Sequence, residues 1–246
     1  MPDFEIESAM IDVPLKGGAY KAYRALPRGA GAQPGIIVIH DFRGLADHTR
    51  DIAQRLAKEG YVALAVDLFS RSENLTDPDD LVALFERMQK LPDAQAVDDL
   101  GAAERYLHGL PQVGARRVGV IGFCMGGLYA LLSGCANDMV QAVVDFYGML
   151  RYDQTTPEKP VSPVELTSGL KCPLLGLYGE DDELIPVAHV QELRERLKKE
   201  GKDFEVHVYP GCGHAFFNDT RDTYRAEAAR DAWEKTIRFF AAHLRA

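Results

Sequence analysis

Three residues of this sequence have side chains that could catalyse acyl transfer together. Cys124 lies in the stretch GFCMGG, Asp182 in GEDDELIP and His214 in GCGHAF. A thiol attacks an acyl carbon once an imidazole takes its proton, and a carboxylate can hold that imidazole in the required tautomer. The residue types therefore predict Cys124 as the nucleophile, His214 as the base and Asp182 as the acid that orients the base.

The residues around Cys124 have the form of a nucleophile elbow. The motif G-x-C-x-G-G follows one apolar run and precedes another, which matches G-x-S-x-G with sulfur in place of oxygen. An elbow strains the backbone at the nucleophile, and its strand and helix approach too closely to admit a Cβ at Gly122 or Gly126. The alternative interpretation is a small buried apolar residue. We predict that the other three cysteines, Cys135, Cys172 and Cys212, are such small buried apolar residues.

Backbone amides near the nucleophile would form the oxyanion hole. The first amides of the helix after Cys124 favour negative charge, so we predict the Met125 N–H as one donor. The second donor should come from the H-x-x-x-G stretch at residues 40–44, which also follows a strand. The Phe42 N–H is our candidate there.

Strands and helices alternate along the chain, and this alternation would bring the three residues together. Apolar runs predict strands at residues 35–41, 61–67, 117–122, 142–148, 173–179 and 204–210. Periodic patterns predict helices at residues 46–60, 93–107 and 187–201, after Cys124, and at the end of the sequence. The result is an α/β fold with a mostly parallel twisted sheet covered by helices on both faces, and residues 4–24 add an antiparallel hairpin at its edge. Functional residues then collect past the carboxyl ends of the strands.

Composition and charge exclude several classes of protein. The 246 residues are 46% hydrophobic and 26% charged, with a formal net charge of −9, which argues against nucleic-acid binding. The first residues are acidic and precede no apolar segment, so we expect a cytoplasmic protein without a signal peptide. Residues 118–137 carry no charge, but their glycines favour a buried strand and helix over a membrane span. The cysteine spacing fits neither a disulfide framework nor a zinc site, and we expect no metal or organic cofactor.

Together these stretches resemble the dienelactone hydrolase family of α/β-hydrolases. The resemblance runs from GIIVIHDFRGL through LAKEGYVALAVDLFSR, GVIGFCMGG and GEDDELIP to GCGHAF, which is nearly the whole chain. It implies a single α/β-hydrolase domain over residues 1–246 with a Cys-His-Asp triad. The family spacing G-x-x-D-x-x-[VI]-P, counted from Gly179, puts the acid on Asp182, with Asp181 as the alternative.

The resemblance also assigns roles around the triad. The family has a carboxylate at the position of Asp41 that competes for the proton of the resting thiol. Here it is Asp where Glu is usual, and capping of its own turn is the alternative interpretation. Of the two arginines that hold the substrate carboxylate in the family, one falls on Arg71. The other falls on Asn218 or Phe217, neither of which carries a charge.

The chemistry of sulfur limits the predicted substrate. A thiolate is a better leaving group than an alkoxide or amine, so the tetrahedral intermediate collapses productively only when the substrate has a good leaving group. We therefore expect activated esters or lactones as substrates, and a monomer or small homo-oligomer with neither nucleic acid nor membrane as partner. Tyr147 and Phe216 are candidates for an aromatic wall of the substrate site, with packing in the core as the alternative.

Two other classes of function stay open. One is a hydrolase-like fold that binds a ligand with little or no catalysis, and the other is a thiol redox protein that uses Cys124 with Cys212 as the resolving thiol. Incubation with an activated ester separates the three possibilities. Acylation of Cys124 indicates a hydrolase, a disulfide indicates a redox protein, and an unmodified thiol indicates a binding protein.

Overall fold

The secondary structure follows the predicted alternation of strands and helices. A computed structural model describes residues 4–72 and 80–245 of the protein. The strands are β1 (Ile6–Leu15), β2 (Gly18–Pro27), β3 (Gly35–Ile39), β4 (Val62–Val66), β5 (Val118–Phe123), β6 (Val140–Phe146), β7 (Leu174–Gly179) and β8 (Phe204–Tyr209). The helices are α1 (Asp47–Lys58), α2 (Leu81–Lys90), α3 (Asp93–Gly109), α4 (Met125–Ala136), α5 (Val187–Lys199) and α6 (Ala226–Leu244), and a 3-10 helix covers Pro163–Gly169.

The eight strands form one sheet in the order β1-β2-β4-β3-β5-β6-β7-β8. From β4 onward in this order every neighbouring pair is parallel, whereas β1 pairs antiparallel with β2, and β2 pairs antiparallel with β4. This confirms the predicted α/β-hydrolase fold with a mostly parallel sheet and an antiparallel N-terminal edge. The hairpin is longer than the predicted span of residues 4–24, because Pro27 at the end of β2 still pairs with Ile6.

Two apolar clusters cover the two faces of the sheet. Successive residues of β3 point alternately into them, Ile37 and Ile39 into one and Ile36 and Val38 into the other. Helices α3, α4 and α5 complete the first cluster, and helices α1 and α6 complete the second. Because helices cover both faces, strands β3, β4 and β5 are apolar at every position, and their sequences are continuous hydrophobic runs.

The uncharged stretch at residues 118–137 forms β5 and α4, as predicted. All of β5 is buried, and so are residues 125–134 of α4. Its apolar character is explained by this burial between the sheet and neighbouring helices. Across residues 4–72 and 80–245, the structure contains no helix with the length and apolarity needed to cross a bilayer.

Helix α2 is an element that the sequence analysis did not predict. It follows residues 73–79, which lie outside the described ranges, and the carboxylate of Asp80 caps it by accepting a hydrogen bond from the Ala83 N–H at 3.0 Å. Leu81, Leu84, Phe85 and Met88 have the i, i+3, i+4, i+7 spacing of a helical face, so the signal was present in the sequence and the sequence analysis missed it. This helix supplies one wall of the site described below.

The junction between β5 and α4 is so closely packed that two glycines are required. A Cβ on Gly122 would lie 1.9 Å from the carbonyl oxygen of Gly126, and a Cβ on Gly126 would lie 2.3 Å from the carbonyl oxygen of Ile39. Both contacts are with backbone atoms, which cannot move without displacing a strand or the start of α4. The structure thus confirms that these glycines make room for the elbow.

Replacement of either glycine should therefore destabilise the protein strongly. We expect Gly126→Ala to lower the free energy of unfolding by about 4 kcal/mol or more, the range of severe steric changes in a core. Gly101→Ala is the matched control, since Gly101 lies inside α3 and its Cβ would meet only the guanidinium of Arg105 at 3.4 Å. That change should raise stability by up to about 1 kcal/mol. Urea unfolding measures both, and equal stability of the two variants would contradict this packing.

Candidate active site

The three residues predicted to form a triad lie together at one edge of the sheet. Cys124 follows β5, Asp182 follows β7 and His214 follows β8. These strands are parallel, so their carboxyl ends point to the same edge. The Nδ1 of His214 lies 2.8 Å from Oδ2 of Asp182, which is a charge-assisted hydrogen bond.

The carboxylate of Asp182 is held firmly in place. Its side chain is fully buried, and Oδ1 accepts hydrogen bonds from the backbone N–H groups of Leu184 at 2.9 Å and Ile185 at 3.0 Å. Oδ2 is left to accept from His214. The adjacent Asp181 is exposed, so of the two alternatives from the sequence only Asp182 contacts the imidazole.

The imidazole of His214 is influenced by the thiol of Cys124 as well as by Asp182. Nε2 is buried and makes no hydrogen bond of ordinary geometry within the described residues. Burial alone would lower the pKa of His214, but hydrogen bonding and negative charge from Asp182 and Cys124 raise it to about 10. Because Nδ1 is taken by Asp182, Nε2 is the ring nitrogen left to interact with sulfur.

The raised pKa of His214 predicts how the free energy of unfolding changes with pH. The folded pKa lies above the ordinary value of 6.5, so the stabilisation is complete below about pH 6.5 and is lost as the pH rises towards about 10. The His214→Gln variant lacks the titrating group. The difference in unfolding free energy between wild type and His214→Gln should therefore shrink between about pH 7 and pH 10, measured by urea unfolding. A difference that stays constant would show that the imidazole does not gain a proton-dependent partner on folding.

The backbone around the triad is strained at three non-glycine residues. Cys124 has a φ of 56°, Tyr147 a φ of 43° and Ala215 a φ of 61°. Such conformations cost about 1–3 kcal/mol each and persist only where the surroundings impose them. One support is the buried carboxylate of Asp145, which accepts a hydrogen bond from the Gly148 N–H at 2.8 Å and so fixes the turn that contains Tyr147. The strain at Cys124 agrees with the predicted elbow.

Two amides are the candidates for the predicted oxyanion hole. Met125 opens α4, and the first helical hydrogen bonds to the Cys124 carbonyl come from later residues in this helix. In the described part of the chain, the N–H groups of Met125 and Phe42 donate to no other protein group. The buried ring of His40 fixes the loop that carries Phe42, since its Nε2 accepts from the Leu68 N–H at 3.1 Å and its Nδ1 lies 2.6 Å from the Asp41 carbonyl oxygen.

The carboxylate of Asp41 has two partners, one in its own loop and one in the segment between β8 and α6. Oδ1 accepts a hydrogen bond from the Arg43 N–H at 2.8 Å, and Oδ2 lies 3.6 Å from the guanidinium of Arg221. The first contact is the turn capping that the sequence analysis gave as the alternative. The role of Asp41 towards the thiol stays a prediction.

A small cavity opens beside the thiol and has a volume of about 70 Å³. Cys124, His214, Met125 and Tyr147 line it, and the ring of Tyr147 packs edge-on against His214 with 5.1 Å between the centroids. The other lining residues were not identified from the sequence: Phe85, Met88, Gln89, Leu128, Met149, Tyr152, Lys159, Leu184 and Ile185. They come from α2, α4 and two loops and share no motif. Two signals could have found some of them: the helical spacing of residues 81, 84, 85 and 88, and the position of Leu184 and Ile185 just after Asp182.

Two residues predicted for the substrate site, Arg71 and Phe216, do not line the cavity. The guanidinium of Arg71 forms an ion pair of 2.6 Å with the buried carboxylate of Asp99 and does not line the cavity. Phe216 is fully buried and packs against Tyr147 and Phe146, behind the cavity wall. Asn218 is also buried. These contacts give Arg71 and Phe216 structural partners, and their binding of substrate stays a prediction.

The cysteines other than Cys124 lie away from the cavity. All four cysteines are free thiols, and only Cys124 lines the cavity. Within residues 4–72 and 80–245, no three side chains of His, Cys, Asp or Glu are grouped so that they could hold a metal ion.

Known proteins resemble this chain over nearly all of its length. A sequence model of the dienelactone hydrolase family matches residues 20–244. A Methylorubrum extorquens protein named carboxymethylenebutenolidase is 39% identical over 233 residues, which are 94% of this chain and 79% of the relative. A Bradyrhizobium protein named 2-oxo-3-(5-oxofuran-2-ylidene)propanoate lactonase is 36% identical over 95% of this chain and 94% of its own length. The crystal structure of a dienelactone hydrolase from Klebsiella pneumoniae superposes with a TM-score of 0.92 at 34% identity, over 97% of this chain and 100% of that one.

Proposed function

Because this chain belongs to the dienelactone hydrolase family, whose members are hydrolases of the ester and lactone type, we propose that it cleaves activated esters or lactones through a thioester acyl-enzyme. Cys124 is the nucleophile, His214 the base and Asp182 the acid of the triad. The observation that carries this proposal is the 2.8 Å contact between His214 and Asp182 beside a thiol held in a strained elbow.

The acylation step follows from the positions of these groups. Sγ of Cys124 gives its proton to Nε2 of His214 and attacks the carbonyl carbon of the substrate, while the carbonyl electron pair moves onto oxygen. The N–H groups of Phe42 and Met125 stabilise the oxyanion, since they have no other acceptor in the described chain. Collapse of the intermediate breaks the bond to the leaving oxygen, which takes the proton back from His214.

Deacylation uses the same groups in a second cycle. A water molecule gives a proton to Nε2 of His214 and attacks the thioester carbon, and the oxyanion forms again at the same amides. Sulfur then leaves and regains its proton, and the carboxylic acid is released. Asp182 stabilises the imidazolium in both steps through its hydrogen bond to Nδ1, while its own position is fixed by two backbone amides.

Asp41 is proposed to modulate the resting thiol. Its carboxylate lies in the loop that carries the Phe42 amide, and one of its oxygens is bound only by the long 3.6 Å ion pair with Arg221. This oxygen could accept the thiol proton if the ion pair opened. The more strongly bound oxygen would keep the loop in place during that change.

Hydrolysis by this site needs no group from outside the chain. We expect the purified protein to hydrolyse p-nitrophenyl acetate and small activated lactones at a rate that prolonged treatment with EDTA leaves unchanged, because the nucleophile, base and oxyanion donors are all protein groups. Release of p-nitrophenolate, followed by absorbance, measures this rate. Loss of activity on chelation with recovery on addition of zinc would overturn the proposed mechanism.

A further inference from the structure

The cavity beside Cys124 differs in its charge from a site for an anionic substrate. Apart from the thiol, Gln89, His214 and Lys159, its described lining is apolar or aromatic. Lys159 is thus the only lysine or arginine among these residues. Residues 73–79, which lie outside the described ranges, have the sequence ENLTDPD and contain no lysine or arginine either.

The charge of Lys159 is already neutralised. Its buried ammonium group donates to the carboxylate of Asp93 at 3.3 Å, to the hydroxyl of Tyr129 at 2.9 Å and to the carbonyl oxygen of Leu91 at 3.3 Å. An ammonium group has three hydrogens to donate, so all of them are in use. Burial also lowers the pKa of Lys159, although Asp93 opposes this effect.

Both oxygens of the Asp93 carboxylate also accept hydrogen bonds. Its Oδ1 accepts from Lys159, and its Oδ2 accepts from the hydroxyl of Tyr152 at 2.9 Å. A substrate carboxylate that approached Lys159 would have to break this network and would meet the negative charge of Asp93. Breaking one partner away from a buried ion pair is strongly unfavourable.

Two arginines near the site are also engaged by acids. Arg71 is paired with Asp99 outside the cavity, and Arg221 is paired with Asp41. Moving a carboxylate from water into an apolar space without a partner costs several kcal/mol or more. The remaining cationic group of the described lining, the imidazole of His214, is already bound to Asp182.

The entrance to the cavity is apolar as well. The side chains of Phe85 in α2 and Leu184 after β7 both line the cavity, yet they are 43% and 56% exposed. An exposed apolar rim continuous with an apolar pocket is typical of a binding site for an apolar group. The acyl group stays attached to sulfur through both chemical steps, so the cavity next to Sγ is the space that holds it.

We infer that this cavity selects substrates with an uncharged, apolar acyl group over those whose acyl group carries a carboxylate. The inference rests on the proposed function, since it assigns the acyl site of the same thiol. It concerns selectivity alone. A carboxylate in the acyl chain can also attack its own ester carbonyl, and that reaction proceeds without the protein and is measured in its absence.

A matched pair of esters tests the inference. In p-nitrophenyl 4-methylpentanoate a branched methyl pair takes the place of the carboxylate in p-nitrophenyl hydrogen succinate, and the leaving group is the same. After subtraction of spontaneous hydrolysis, we expect kcat/KM to be at least about tenfold higher for the neutral ester, as for about 1.4 kcal/mol of discrimination. Equal values, or a preference for the succinate ester, would overturn the inference. If that preference disappeared in Arg71→Ala, the anion site would lie at Arg71.

A second variant tests whether the lining itself causes the selectivity. Leu184→Arg places a cation at the exposed rim, and Leu184→Gln is its uncharged polar control. We expect Leu184→Arg to raise kcat/KM for the succinate ester several-fold relative to Leu184→Gln, and an unchanged value would count against the inference. Failure of the proposed function has a different signature, since neither ester would then be hydrolysed, or Cys124→Ala would hydrolyse both.

Discussion

Cys124→Ala should lower kcat for p-nitrophenyl acetate by on the order of 10⁴–10⁶-fold, as loss of the nucleophile does in other triads. Without Sγ no thioester can form, and the remaining amides can only assist direct attack by water. The fold should persist, because alanine fills less space than cysteine at a half-buried elbow. Steady-state kinetics together with circular dichroism measure both properties.

Two further variants control for this result. Cys135→Ala changes a thiol near the other end of the same helix, α4, and should retain most of the activity. Cys124→Ser should be much slower than wild type, because a base placed for a thiol deprotonates a hydroxyl poorly. Activity in Cys124→Ala comparable with that in Cys135→Ala would exclude Cys124 as the nucleophile.

Asp182→Asn should lower kcat by on the order of 10³–10⁴-fold while the protein stays folded. The two amides of Leu184 and Ile185 would hold the asparagine carbonyl oxygen at the position of Oδ1. Its NH₂ group would then face Nδ1 of His214, which could no longer donate. The imidazole would be forced into the tautomer that carries its proton on Nε2, and this tautomer cannot accept a proton from the thiol.

Asp181→Asn is the matched control for this change. Asp181 has the same residue type, is adjacent in sequence and is exposed, so we expect kcat to change by less than about twofold, the range of ordinary surface substitutions. A larger loss in Asp181→Asn than in Asp182→Asn would reassign the orienting acid.

The grouping of Cys124, Asp182 and His214 at one edge of the sheet could be predicted from the sequence, because each residue follows a strand that is easy to recognise. Continuous apolar runs identify the parallel strands, and parallel strands bring their carboxyl ends to one edge. Cys124 is further marked by Gly122 and Gly126, whose lack of Cβ has a direct steric cause. The choice of Asp182 needed the spacing to its proline, and the structure shows the reason, since the turn ahead of that proline donates two amides to the carboxylate.

The walls of the cavity could not be predicted, since they depend on packing between distant segments. The helical period around Phe85 is visible in the sequence, but the packing of that helix beside Cys124 is not, and Lys159 comes from a loop without regular structure. Nothing in the sequence pairs Lys159 with Asp93, 66 residues away. Likewise, the sequence shows that Arg71 follows β4, but nothing in it indicates that Arg71 forms an ion pair with Asp99 of α3.

The most direct test of the account is the mass of the protein during turnover. Rapid mixing with p-nitrophenyl acetate followed by acid quench should give a protein heavier by one acetyl group, and peptide mapping should locate that group on Cys124 as a thioester cleaved by neutral hydroxylamine. The Cys124→Ala variant should show no such species. Turnover with an unmodified Cys124, an acetyl group on another residue, or a disulfide between Cys124 and Cys212 would contradict the proposed mechanism.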